Sequence, residues 1–180
     1  MSMSEYDELR QHYRPAKIHY LLIAESPPPP AEFEGSRHFY RTDRPRREDR
    51  LFTNTVKALY PETLDMTESE LKATKEQWLR RFQADGWYMI EALEESQAHG
   101  VTKPQRQERI REQLPRLIER VGELVDTQTK IILIKSNVFE VATEPLRAAG
   151  FNVLNQKLVD YPGHYNQSAY REKLAQLLAR

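Results

Sequence analysis

Four short apolar runs, separated by longer stretches with helical spacing, constrain this chain more than any other feature of its sequence. The clearest is Ile131-Ile132-Leu133-Ile134, bracketed by Lys130 and Lys135. It is too short for a helix and does not alternate with polar residues, so it reads as a strand buried on both faces. Ile18 to Ala24, after Pro15, reads the same way. Gly86-Trp87-Tyr88-Met89-Ile90 gives a third strand and Phe151 to Leu154 a fourth.

Helical patterns fill the intervals. Tyr6 to Tyr13 forms a short helix broken by Arg14-Pro15. Leu51, Phe52, Thr55, Val56 and Leu59 form another that ends before Pro61. Thr67 and Glu70 carry a capping-box signature for a helix running to about Ala84. Ile110, Leu114, Leu117, Ile118, Val121, Leu124 and Val125 lie three or four apart and describe a long helix between Pro104 and Val125, in which Pro115 introduces a kink or a split. Asn137 is placed to cap a helix that reaches Ala149 and is stopped by Gly150, and Ser168 to Leu178 forms a terminal helix. Strands alternating with helices predict an α/β fold, specifically a three-layer α/β/α arrangement with a central four-stranded parallel sheet. The 180 residues suffice for one substantial core, so residues 1–180 are read as a single domain.

The absence of cysteine removes disulfides, thiolate-ligated metal centres and cysteine nucleophiles together. The polar, charged segment Met1 to Tyr13 has no apolar signal region and no later stretch has the length of a membrane span, so a cytoplasmic location without membrane contact is expected. The six glycines match neither a Walker nor a dinucleotide pattern, and the histidines are scattered, so neither a cofactor nor a metal is expected. A formal net charge of zero leaves nucleic-acid binding to a local basic patch.

In an open parallel sheet ligands bind beyond the carboxyl ends of the strands, so the residues that follow each strand are the candidates. After the first come Glu25 and Ser26 on a turn stiffened by Pro27 and Pro28: either a ligand-facing pair or a solvated turn that merely ends the strand. After the second comes Glu91. After the third comes Asn137, either a helix cap or an amide offered to a ligand. The fourth is followed by Asp160-Tyr161-Pro162-Gly163-His164-Tyr165-Asn166, where His164 could protonate, donate a hydrogen bond or stand beside a base, or be an idle loop histidine. The loop from Ser26 to Asp49 crowds Arg37, Arg41, Arg44, Arg46, Arg47 and Arg50 around His38-Phe39-Tyr40, a combination suited to unpaired or flipped nucleotides. Asp43, Glu48 and Asp49 offer a self-paired surface loop as the alternative.

The order of these pieces resembles the uracil-DNA glycosylase superfamily over most of the chain. Leu21 to Pro28 resembles its first motif, in which Glu25 and Ser26 would manage base and water. His38-Phe39-Tyr40 resembles the aromatic position on which the extruded base stacks, which implies Phe39 or Tyr40 in that role. Leu51-Phe52-Thr53-Asn54 resembles the segment opening the next helix, and Gly86 to Glu91 the strand whose last residue reads the base. The loop from Asp160 to Tyr165 falls where the second motif lies, which implies that His164 stabilises the departing base. The chain departs from the family in carrying Ser26 for aspartate and Glu91 for asparagine, in lacking the histidine-proline-serine order, and in having no cysteines for the iron–sulfur branches.

The resemblance implies a DNA glycosylase that binds an extruded base and hydrolyses its N-glycosidic bond; Glu91, a carboxylate where the family has an amide, would favour a base presenting N–H donors, an amino-bearing or modified one, over plain uracil. Glu25, Ser26 and His164 would be catalytic. Phe39, Tyr40, Glu91, Asn137 and Tyr165 would bind substrate, and Arg37, Arg41, Arg46 and Arg47 would hold DNA that is single-stranded or carries a flipped base. The alternatives are a non-catalytic nucleotide or nucleic-acid binding module of the same fold, and an interaction module whose arginine loop meets an acidic protein.

Overall fold

The computed structural model describes residues 5–28, 38–43 and 49–179. Four strands, β1 (Tyr20–Ala24), β2 (Trp87–Glu91), β3 (Lys130–Leu133) and β4 (Asn152–Val153), form one sheet in the order β2-β1-β3-β4 with every neighbouring pair parallel. Leu21, Leu22 and Ile23 of β1 and Ile131, Ile132 and Leu133 of β3 are fully buried, which explains why these segments run apolar without alternation.

Among the described residues seven α-helices connect and cover the strands: α1 (Glu5–His12), α2 (Arg50–Leu59), α3 (Glu68–Ala73), α4 (Lys75–Ala84), α5 (Lys103–Leu124), α6 (Ser136–Ala148) and α7 (Gln167–Leu178). The connection from β1 steps outward to β2, whereas those from β2 and β3 step the other way. Right-handed crossovers therefore put their helices on opposite faces. The packing follows this rule, with α5 against α6 and α2 against α7. The expected α/β class with a four-stranded parallel sheet flanked by helices is what the chain adopts. No helix among the described residues is long and apolar enough to cross a membrane.

Local signals explain most boundaries. Gly86 precedes β2 with φ +80°, and a Cβ there would lie 2.2 Å from the ring of His19, so this turn accepts only glycine. Thr67 caps α3 reciprocally: its hydroxyl accepts from Glu70 N at 3.2 Å, and the Glu70 carboxylate accepts from Thr67 N at 2.7 Å. A second capping box, Thr102 with Gln105, opens α5. Where β4 ends, the Asn155 side chain substitutes for further strand, accepting from Leu133 N at 2.7 Å and donating to Leu133 O at 2.9 Å.

Three expectations change. The helix that begins after Thr67 does not continue to Ala84 but breaks at Thr74, whose φ −110° and ψ 18° leave the helical region, giving α3 and α4. Pro115 does not split α5, which runs unbroken for 22 residues. The proline strips the Arg111 carbonyl of its usual donor, but Arg111 is exposed and water can serve it. Asn137 does not cap α6. The N-cap position belongs to Lys135, and the Asn137 side chain points its amide elsewhere.

Candidate functional site

The sheet order places a topological switch between β1 and β3, the position where open parallel sheets form a crevice. A pocket of about 230 Å³ opens there. Glu25, Ser26 and Pro28 line it beyond β1, Ile134 and Lys135 beyond β3, and Met89 and Glu91 from β2. Phe39, Leu51 and Tyr161 complete the walls.

Glu25 is 4% exposed and receives three donors. Asn137 Nδ2 lies 2.7 Å from Oε2, Lys135 Nζ 3.0 Å from Oε2, and Arg106 Nη1 2.6 Å from Oε1. Burial pushes the Glu25 pKa up, but the Asn137 hydrogen bond outweighs it together with Lys135 and Arg106, and the carboxyl is held below its usual range. Such a carboxylate stays ionised and is a weak proton acceptor. Three of its roughly four lone-pair sites are taken, so it can receive one further donor and orient it.

Lys135 reaches this position through an unusual backbone. Its φ of 80° with ψ of 143° is rarely adopted by a residue with a side chain and costs on the order of 1–3 kcal/mol. The bond from Lys135 N to Val159 O, 2.8 Å, holds the turn from β3 into α6. The same turn brings Asn137, in the first turn of α6, back over Glu25.

Glu91, opposite Ala24 in the β1–β2 register, borders the same pocket but is differently engaged. It is 3% exposed, its carboxylate pairs with Arg10, and His38 Nε2 lies 3.5 Å from Oε1. Arg120 donates to its carbonyl at 3.1 Å. Burial raises its pKa, but the His38 hydrogen bond and the Arg10 charge reverse the direction and hold it low. Tyr6 stacks on His38 at 5.1 Å between centroids, which closes this cluster under α1.

The remaining candidates divide. Phe39 forms a pocket wall, backed by Phe52 and Phe82. Tyr40 is entirely buried and its hydroxyl accepts from Met89 N at 2.7 Å, so it belongs to the core and does not line the pocket. Asn137 serves the pocket indirectly by holding Glu25. His164 is exposed, with Arg50 Nη2 3.0 Å from Nδ1 and 3.2 Å from Nε2, and it does not line the pocket. Tyr165 is fully exposed beside it, whereas Tyr161 of the same loop reaches the pocket. Arg41 is nearly buried and tied to Glu5 and Asp43, which fits the self-paired alternative for that residue. Arg37, Arg44, Arg46 and Arg47 lie outside the described residues.

Comparison with known proteins adds no identity. No family model matches the chain, and no curated protein or solved structure is significantly similar to it. The reading of the site therefore rests on its geometry.

Sequence reasoning missed Lys135, Arg106 and Arg10. Lys135 stood in view as the polar end of the clearest strand, at the switch point, and that position was the available signal. Arg106 and Arg10 sit among many other charged residues of α5 and α1, and nothing local distinguishes them.

Proposed function

We propose that this chain accepts a nucleobase extruded from DNA in the Phe39 pocket and hydrolyses its N-glycosidic bond, as a divergent relative of the uracil-DNA glycosylases. The observation that carries the reading is the pocket itself: it lies at the β1/β3 switch point and combines an aromatic wall, a buried ionised Glu25 and the Ser26 hydroxyl. Its volume of about 230 Å³ suits one planar heterocycle better than a larger ligand. Phe39 supplies the stacking face, and Glu25 and Ser26 orient the attacking water. In the reaction the bond between the sugar C1′ and the base nitrogen breaks, its electron pair leaves with the base, the water oxygen joins C1′, and the released proton completes the base.

A second reading, a non-catalytic module that binds nucleic acid in the same pocket, is favoured by one observation. His164, the group that the resemblance assigns to the leaving base, is exposed and engaged by Arg50.

Oligonucleotides carrying uracil, hypoxanthine or other modified bases, single-stranded and double-stranded, separate the two readings when abasic sites are counted after incubation. Base release by the wild type, abolished by the pocket-filling Ser26→Tyr variant, supports hydrolysis. Binding without release from any substrate supports the second reading. A His164→Ala variant that releases base as fast as the wild type removes that histidine from the mechanism.

A further inference from the structure

Among the described residues that line the pocket, Lys135 alone carries an amine, and the hydrolysis proposed above gives that amine no task. Its backbone, φ 80° and ψ 143°, is a conformation that glycine adopts freely and lysine only against strain. The strained turn carries the side chain on the pocket wall, with Nζ 3.0 Å from Glu25 Oε2. The side chain is 35% exposed, so its proton can pass to water and a ligand in the pocket can reach the nitrogen.

The surroundings of Glu25 suit an amine that reacts. When Nζ leaves its bond to attack a ligand, the buried carboxylate keeps two donors, Arg106 Nη1 at 2.6 Å from Oε1 and Asn137 Nδ2 at 2.7 Å from Oε2. A buried carboxylate held by lysine alone would be left unpaired at that moment, at a high energetic cost. An amine that condenses with an aldehyde ends as an iminium, which carries the same single positive charge as the ammonium. Glu25, held ionised, therefore faces a cation before and after the reaction. The rest of the lining offers weaker nucleophiles: Ser26 is a hydroxyl, and no histidine lines the pocket among the described residues to activate it, while Glu91 is engaged by Arg10.

We propose that Lys135 is a nucleophile that captures an aldehyde in this pocket, the C1′ aldehyde of a ring-opened abasic sugar, as a protonated imine. The proposal rests on the base-release reading above, which sets C1′ beside Glu25 and Ser26 and hence within reach of Nζ. The ammonium first gives one proton to water. Its nitrogen then bonds to C1′, the carbonyl π pair moves onto oxygen, and a proton passes from nitrogen to that oxygen. The carbinolamine takes a proton from solvent and loses its hydroxyl as water, leaving a C1′–N double bond. One ammonium and one aldehyde thus give one protonated imine and one water. The abasic product stays on the protein until water reverses the step.

The test incubates the full chain with a single-stranded oligonucleotide carrying one preformed abasic site, in the presence of sodium cyanoborohydride, which reduces an iminium to a stable amine. An oligonucleotide with a tetrahydrofuran abasic analogue, which has no aldehyde, is the control. The expected result is a covalent adduct with the aldehyde substrate only, mapped by peptide mass spectrometry to Lys135. In Lys135→Arg, which keeps a cation for Glu25 but no reactive amine, the yield should fall about tenfold or more. No adduct, or an adduct confined to other lysines, overturns the proposal without recourse to a variant. An undiminished yield in Lys135→Arg overturns it as well. Because the abasic site is supplied ready-made, the two readings separate: base release without an adduct leaves hydrolysis standing and removes the role of Lys135, whereas an adduct on Lys135 without base release from any oligonucleotide supports capture and removes hydrolysis.

Discussion

Glu25 and Glu91 stand at the ends of adjacent strands, border one pocket and are almost equally buried, yet their surroundings differ in kind. Glu91 is held by Arg10 and His38, whose side chains are as inaccessible as its own. Its charge is spent inside the protein, where it pins α1 to the carboxyl edge of the sheet. Glu25 is held by Lys135 and Arg106, which remain partly open, and by Asn137 from α6. Among the described residues, the first arrangement is closed, and the second is open and sets two cations against one carboxylate. Burial and a depressed pKa are common to both, so neither property identifies a site; the exposure and charge balance of the partners do.

The sharpest way to break this contrast is to remove one partner from each cluster. Arg10→Met leaves the buried Glu91 carboxylate without its guanidinium and facing only His38, and loss of a buried ion-pair partner costs about 3–5 kcal/mol. Urea denaturation is expected to show a loss of that order. Glu25→Gln keeps the shape and part of the hydrogen bonding while leaving two cations that water can reach, so a smaller loss of about 1–3 kcal/mol is expected in the same experiment. Equal losses would remove the distinction between a closed cluster and an open one.

Acid sharpens the comparison further. Both carboxyls are held below the ordinary value of 4.5, so the unfolded chain binds their protons more readily than the folded protein does. Their stabilising contribution is complete above that value and is lost as pH falls through the lowered folded values. Urea midpoints followed from neutral pH down through 4.5 should fall, and Glu25→Gln should show a shallower fall because one of the two groups has been removed. An identical slope in the variant would show that Glu25 is not held low. The smallest effect is expected for Tyr165→Ala: its fully exposed ring should contribute within about 0.5 kcal/mol to thermal stability. A larger loss would mean that the loop following β4 packs more firmly than its exposure indicates.

The fold was legible where burial is written as an unbroken apolar run, as in Ile131 to Ile134, or where one residue type is obligatory, as at Gly86 beside His19. It was less legible where tertiary contacts override a local signal. Thr74 interrupts a helix that the capping box at Thr67 predicts correctly at its start, and Pro115 is carried through a long helix whose packed stripe, Ile110, Leu117 and Val121, spans the flaw. The Thr102 and Gln105 capping box was present in the sequence and would have placed the start of α5.

The site was half legible for a related reason. Strand ends could be listed from the sequence, and Glu25, Glu91 and Phe39 do meet in one pocket. What occupies their carboxylates could not, because the partners are remote along the chain: Arg106 lies 81 residues from Glu25, Asn137 112, and Arg10 81 from Glu91. Asn137 shows the ambiguity most clearly. An asparagine just after a strand and before a helix satisfies the local rule for a cap, and only the approach of β1 beside β3 gives its amide a carboxylate to hold.

The central claim, that the β1/β3 crevice is where this protein meets its ligand, is tested most directly by amide chemical shifts of the labelled chain titrated with a uracil-containing single-stranded oligonucleotide. The account predicts that the largest changes fall on Ala24 to Ser26 and Ile134 to Asn137, with smaller ones around Arg10 and His38. Changes confined to other surfaces, with these two segments unmoved, would contradict it.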